Sequence, residues 1–94
     1  MNQAITAPLC RWTFWMADEN PGPAEGDAAE LIESLGFNPW SFTRFKLIAE
    51  ALHGRTVLSQ FEVVGARDQV EALRAAHLKA TGLFSQAPAW LDAP

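Results

Sequence analysis

Residues 39–53 read PWSFTRFKLIAEALH, and the fold turns on whether they coil or extend. As a helix, the stretch takes Asn38 as N-cap, Pro39 at the first helical position and Gly54 just past the end. Phe42, Phe45, Ile48, Ala49 and Leu52 then share one side, opposite Thr43, Lys46, Glu50 and His53. Local propensity favours this reading, because Leu, Ala, Glu and Lys are good helix formers. As a strand, Thr43, Phe45, Leu47, Ala49 and Ala51 line one face, and Arg44, Lys46 and Glu50 point the other way. His53-Gly54 then turns a hairpin into the next segment. Topology favours the strand, over about 42–51. Without it the sheet has only two good members, and two-stranded sheets are marginal in water.

The segments on either side are easier to read. LCRWTFWMADE (9–19) alternates with period two. Cys10, Trp12, Phe14 and Met16 make an apolar face, and Leu9, Arg11, Thr13, Trp15 and Ala17 make a mixed one. That predicts a half-buried strand over about 9–17 with the Cys10 face inward. TVLSQFEVV (56–64), rich in β-branched residues between Gly54 and Gly65, predicts a second strand. ENPGPAEG (19–26) is a loop, with two prolines and two glycines.

Two D-x-x-E pairs, Asp27 with Glu30 and Asp68 with Glu71, have the spacing of capping boxes. The first predicts a helix over about 28–35, with Ala28, Leu31, Ile32 and Leu35 inward. Gly36 takes the left-handed position after it, and Phe37 supplies the apolar contact. The second opens a helix carrying Val70, Leu73, Ala76, His77 and Ala80 on one face, ended by Gly82-Leu83. A short edge strand is expected at 83–86, followed by an extended tail at 87–94, with Trp90 and Leu91 tying it back.

The order is strand, helix, strand, strand, helix, strand. This is the βαββαβ plan of a ferredoxin-like α+β sandwich, with two helices on one face of an antiparallel sheet. If 39–53 is a helix instead, the fold is a helix-rich α+β domain on a two- or three-stranded sheet. Either way, 94 residues are expected to make a single domain over 1–94.

The net charge is −4, unevenly placed. Between Arg11 and Arg44 there is no Lys or Arg, while Asp18, Glu19, Glu25, Asp27, Glu30 and Glu33 all fall there. That disfavours direct nucleic-acid binding and suits steering toward a basic protein surface. No apolar run approaches the roughly 20 residues of a membrane helix. The start of the chain lacks a signal-peptide pattern, and one cysteine, Cys10, has no internal disulfide partner; a cytoplasmic location is expected.

Cys10 lies on the face opposite Arg11, so a buried, inert thiol is expected. His53 and His77 lack a further His, Cys or carboxylate at metal-ligand spacing, and no phosphate loop or nucleophile elbow is present. No catalytic residue, metal or cofactor is expected. What remains is aromatic. An open sheet face would carry Leu9, Trp15, Leu58 and Val64 beside Arg11, Gln60 and Glu62, an apolar patch with a polar rim. The expected function is therefore a small non-catalytic interaction protein: a homodimer, accessory subunit or inhibitor. It would use Trp15, Arg11, Leu58, Gln60 and Glu62, with Glu30 and Glu33 of the acidic 18–33 segment as a second contact. One special case is an inhibitor of a nucleic-acid-binding defence complex, as small phage proteins are. The alternative is a ferredoxin-like small-molecule enzyme or sensor with His53 or His77 in an apolar pocket.

Overall fold

β3 (Thr56–Ala66) is the central strand, with β1 (Leu9–Glu19) on one side and β2 (Arg44–His53) on the other, both antiparallel to it. The computed structural model describes residues 8–19 and 21–81. The expected strand at 83–86 and the tail at 87–94 lie outside the described residues. Between β1 and β2 the chain forms helix α1 (Glu25–Ser34) and a single 3-10 turn at Pro39–Ser41, and after β3 comes helix α2 (Arg67–Thr81). Among the described residues the result is an α+β fold: a three-stranded antiparallel sheet with two helices.

The contested stretch divides. Asn38 does cap a helical turn, its side-chain oxygen accepting from Trp40 N–H at 2.9 Å. That turn ends after Ser41. Phe42 then leaves in extended geometry and buries itself against Gly65 and the core. The strand expected over 42–51 runs two residues later at each end. Strand wins because β3 needs a partner for its second row of backbone groups. Phe45 also stacks over Phe61 at 6.3 Å, burial that the isolated propensity scale does not count. The turn is Gly54-Arg55 rather than His53-Gly54, since His53 still pairs with Thr56. Gly54 has φ +67 and Arg55 a negative φ, the order of a type II′ turn.

A bulge between Leu47 and Ala49 changes which residues of β2 share a face. Before it, Phe45 and Leu47 lie opposite Val63 and Phe61, on the helix side. After it, Glu50 and Leu52 take that side, opposite Ser59 and Val57, and Ala49 and Ala51 move to the other. The expectation that Glu50 shares a face with Arg44 and Lys46 is therefore corrected, as is the alignment of Ala49 and Ala51 with Phe45.

β1 follows its alternation, extended to Glu19. Cys10, Trp12 and Phe14 are buried and Met16 is half-buried, while Trp15 faces away. The core is this row, the β3 row of Phe61 and Val63, and Ala28, Ile32, Phe42, Val70 and Leu73 above them. Trp12 stacks on Phe14 at 4.7 Å and meets His77 edge-on at 5.1 Å.

Both capping boxes are corrected. Helix α1 begins at Glu25 on Ala24, and Asp27 sits in its first turn, accepting from Ala24 N–H at 2.8 Å. Two acids there favour the positive helix terminus. Its end is as expected: Gly36 has φ +95, and Phe37 N–H and Gly36 N–H bond back to Ile32 and Glu33. Helix α2 starts directly after β3, which puts Asp68 inside the first turn instead of at the cap. Glu71 pairs with Arg67 at 3.5 Å, and Ala80 is exposed.

Candidate functional site: the open sheet face

The face of the sheet turned away from the core can be read in rows across the three strands. Arg11, Val64 and Arg44 form one row; Thr13, Glu62 and Lys46 the next. Trp15, Gln60 and Ala49 follow, then Ala17, Leu58 and Ala51. The residues expected to share this face, Leu9, Arg11, Trp15, Leu58, Gln60, Glu62 and Val64, all fall on it. Their arrangement differs from an apolar patch with a polar rim. The face has a charged half around Glu62 and an apolar half around Leu58, with Trp15 and Gln60 at the boundary. Leu9 lies at the far charged end, beside Ala66.

Glu62 is the centre of the charged half. It is only 5% exposed, because Arg11 Nε and Arg44 Nη1 close over its two oxygens from the flanking strands. The Arg44 contact is 3.3 Å. Burial pushes the Glu62 carboxyl upward; hydrogen bonds and charge from Arg11, then Arg44, outweigh it and hold the group below the ordinary 4.5. Each arginine engages the carboxylate through one nitrogen, Nε of Arg11 and Nη1 of Arg44. Lys46, exposed beside Glu62, adds a third cation. The local charge is positive on a chain that is negative overall.

Trp15 is 42% exposed, on the side of β1 turned away from the core formed by the described residues. Ala49 shares its cross-strand row, and Ala17, Leu58 and Ala51 form the next row toward the hairpin. Glu30 and Glu33 are exposed on α1, in the helix layer behind the sheet, and belong to a separate surface. The positive role of Arg44 and Lys46 was visible only as a possibility, since their face depends on the β2 assignment. Two further exposed apolar residues are Trp40, edge-on to Phe45, and Leu52, 78% exposed beside the hairpin.

The histidines are far from one another in environment. His53 is exposed at the hairpin, and His77 is buried against Trp12 and Phe14. Burial pushes the His77 imidazole below its ordinary 6.5. Hollows of about 520 and 450 Å³ meet at Leu52 and Val57, and one of about 350 Å³ lies at Pro8, Arg67, Asp68 and Glu71. Among the described residues neither histidine lines them, and no cluster of three His, Cys, Asp or Glu could hold a metal ion. Cys10 is buried and outside any disulfide. Among the described residues no helix is long and apolar enough to cross a membrane. No family model, curated protein or solved structure matches the chain.

Proposed function

We propose that the chain is a small non-catalytic interaction protein that engages a protein partner through the open sheet face. Trp15 is the anchor, Leu58 and Gln60 the adjoining floor, and Arg11 and Glu62 the charged flank. The observation that carries this reading is Trp15 itself: a large aromatic left 42% exposed on the sheet face away from the core, where burying it in a partner gains most. The frame supports it. Sheet order β1-β3-β2, with α1 connecting β1 to β2, is compatible with the first three strands of a ferredoxin-like βαββαβ plan, in which the helices cover one sheet face. Glu30 and Glu33 supply a second, acidic contact that steers a basic partner surface.

The test compares Trp15→Ala with the wild type in affinity capture from the native host, followed by binding kinetics with the captured protein. Trp15→Ala is expected to weaken association by about 2 kcal/mol or more, roughly 30-fold, as loss of a central aromatic does. Glu30→Lys with Glu33→Lys is expected to slow association at low salt only, since screening removes steering at high salt. A partner held equally well by wild type and Trp15→Ala would overturn the reading.

A further inference from the structure

We propose that the outer edge of β1 is the seam of a symmetric homodimer, where β1 of a second copy pairs antiparallel to it and joins two sheets into one of six strands. The two edges of the sheet are treated differently. On β2, the bulge at Leu47/Ala49 breaks the row, and Glu25 takes the outward Leu47 N–H at 2.9 Å, so the edge is blocked to a further strand. On β1, pairing with β3 is continuous over 11 residues, and the strand contains no proline and no bulge. Among the described residues no strand lies on its outer side. A long, regular edge of this kind is a template for another strand.

The sequence of β1 is complementary to itself about Thr13. Antiparallel pairing centred there sets Thr13 against the partner's Thr13 and Trp12 against the partner's Phe14. Arg11 falls opposite the partner's Trp15, and Leu9 opposite the partner's Ala17. Threonine pairs and aromatic pairs are favourable cross-strand neighbours, and a guanidinium over an indole gains a cation–π contact. No like charges are opposed. The length also matches. β1 spans about 36 Å, and the twofold pairs it with a strand of its own length. A pairing of the same strand with itself closes as a twofold dimer and leaves no bare β1 edge. The seam rests on the β1 edge rather than on the open-face reading, although it draws on Arg11 and Trp15 of that face and would place two copies of it side by side.

The experiment is light scattering on the full chain at about 100 µM, a concentration that fills any dimer with a Kd near 1 µM. A dimer is expected, about twice the 10.3 kDa of one chain. Thr13→Cys is expected to join two chains under oxidation or a short thiol cross-linker, because the two side chains meet on the twofold axis. Thr56→Cys, at the hairpin end of β3, is expected not to. Thr13→Lys, which opposes two ammonium groups while leaving each beside its own Glu62, is expected to weaken the dimer ten-fold or more. A monomer at this concentration overturns the proposal, and so does a dimer indifferent to Thr13→Lys that Thr13→Cys does not cross-link. A monomer with nuclear Overhauser contacts between β1 and residues 83–86 would assign the edge to the chain's own fourth strand. A monomer whose captured partner is still weakened by Trp15→Ala would overturn the seam and leave the open-face reading standing.

Discussion

Trp12, Phe14 and Trp15 are close in sequence but face opposite layers, and their truncations should separate cleanly. Trp12 and Phe14 are buried and stacked on each other; Trp12 meets His77 edge-on, and Phe14 lies tilted against His77 and Phe61. Trp12→Ala and Phe14→Ala are each expected to cost about 3–5 kcal/mol in chemical denaturation, enough to unfold a marginal domain. Trp15→Ala is expected to stay within about 1 kcal/mol, because a side chain open to water on one side loses little packing. Equal losses at all three sites would mean that the open face is covered. Glu62 is the other residue with a distinct signature. Its folded-state pKa is depressed, so its contribution is full above the ordinary 4.5 and is lost as pH falls through the lower folded value. Glu62→Gln is expected to cost about 1–2 kcal/mol at neutral pH, leaving Arg11 and Arg44 without a counter-charge. It is also expected to flatten the acid limb of a stability-against-pH curve below about pH 4.5.

The connections between elements are held by contacts of unequal tolerance. The β1–α1 loop docks on β3: Ser59 Oγ donates to the Pro23 carbonyl at 2.8 Å, and Gly22 lies on Val57. A Cβ on Gly22 would come within 2.5 Å of Val57, at a φ of +89. Gly22→Ala therefore combines backbone strain with a clash in a buried contact, and about 3 kcal/mol is expected. Gly54 also has positive φ but faces open space, so Gly54→Ala carries only the backbone cost of about 1 kcal/mol. Thermal unfolding of the two variants side by side checks the ordering, and equal losses would show that the loop can lift away from Val57.

At the scale of the molecule, the helix layer and the sheet differ in charge as well as in burial. Helix α1 carries only acids, and the open face gathers Arg11, Arg44 and Lys46 around one glutamate. Between these layers His77 is buried against Trp12 and Phe14, and burial disfavours its charged form. A folded-state pKa below the ordinary 6.5 means that the unfolded chain takes up the proton first. Stability from His77 is present above 6.5 and is lost as pH falls toward the folded value. His77→Phe, which keeps a ring against Trp12, is expected to remove the slope just below pH 6.5 while leaving the Glu62 slope at lower pH. A slope unchanged in His77→Phe would place the titrating group elsewhere.

Period-two alternation in 9–17 determined the inward face of β1, because a strand with one buried side tolerates no shift of one residue. The β-branched run at 56–64 and the Gly36-Phe37 signal were equally legible, since strand propensity and a left-handed helix stop are local properties. Residues 39–53 were not. Their caps and propensity describe a helix, and the chain keeps one turn of it. The remainder extends because β3 needs a second partner, a requirement visible only when the sheet is assembled. The bulge beside Ile48 belongs to the same class: nothing in Leu47-Ile48-Ala49 announces it, yet it decides that Glu50 and Leu52 face the helices. The candidate site divides along the same line. Alternation placed Trp15 opposite the core, but the two arginines closing over Glu62 come from separate strands. Register alone brings Arg11 and Arg44 to either side of Val64, and pairing across β3 turns three dispersed charges into one buried carboxylate under two guanidinium groups.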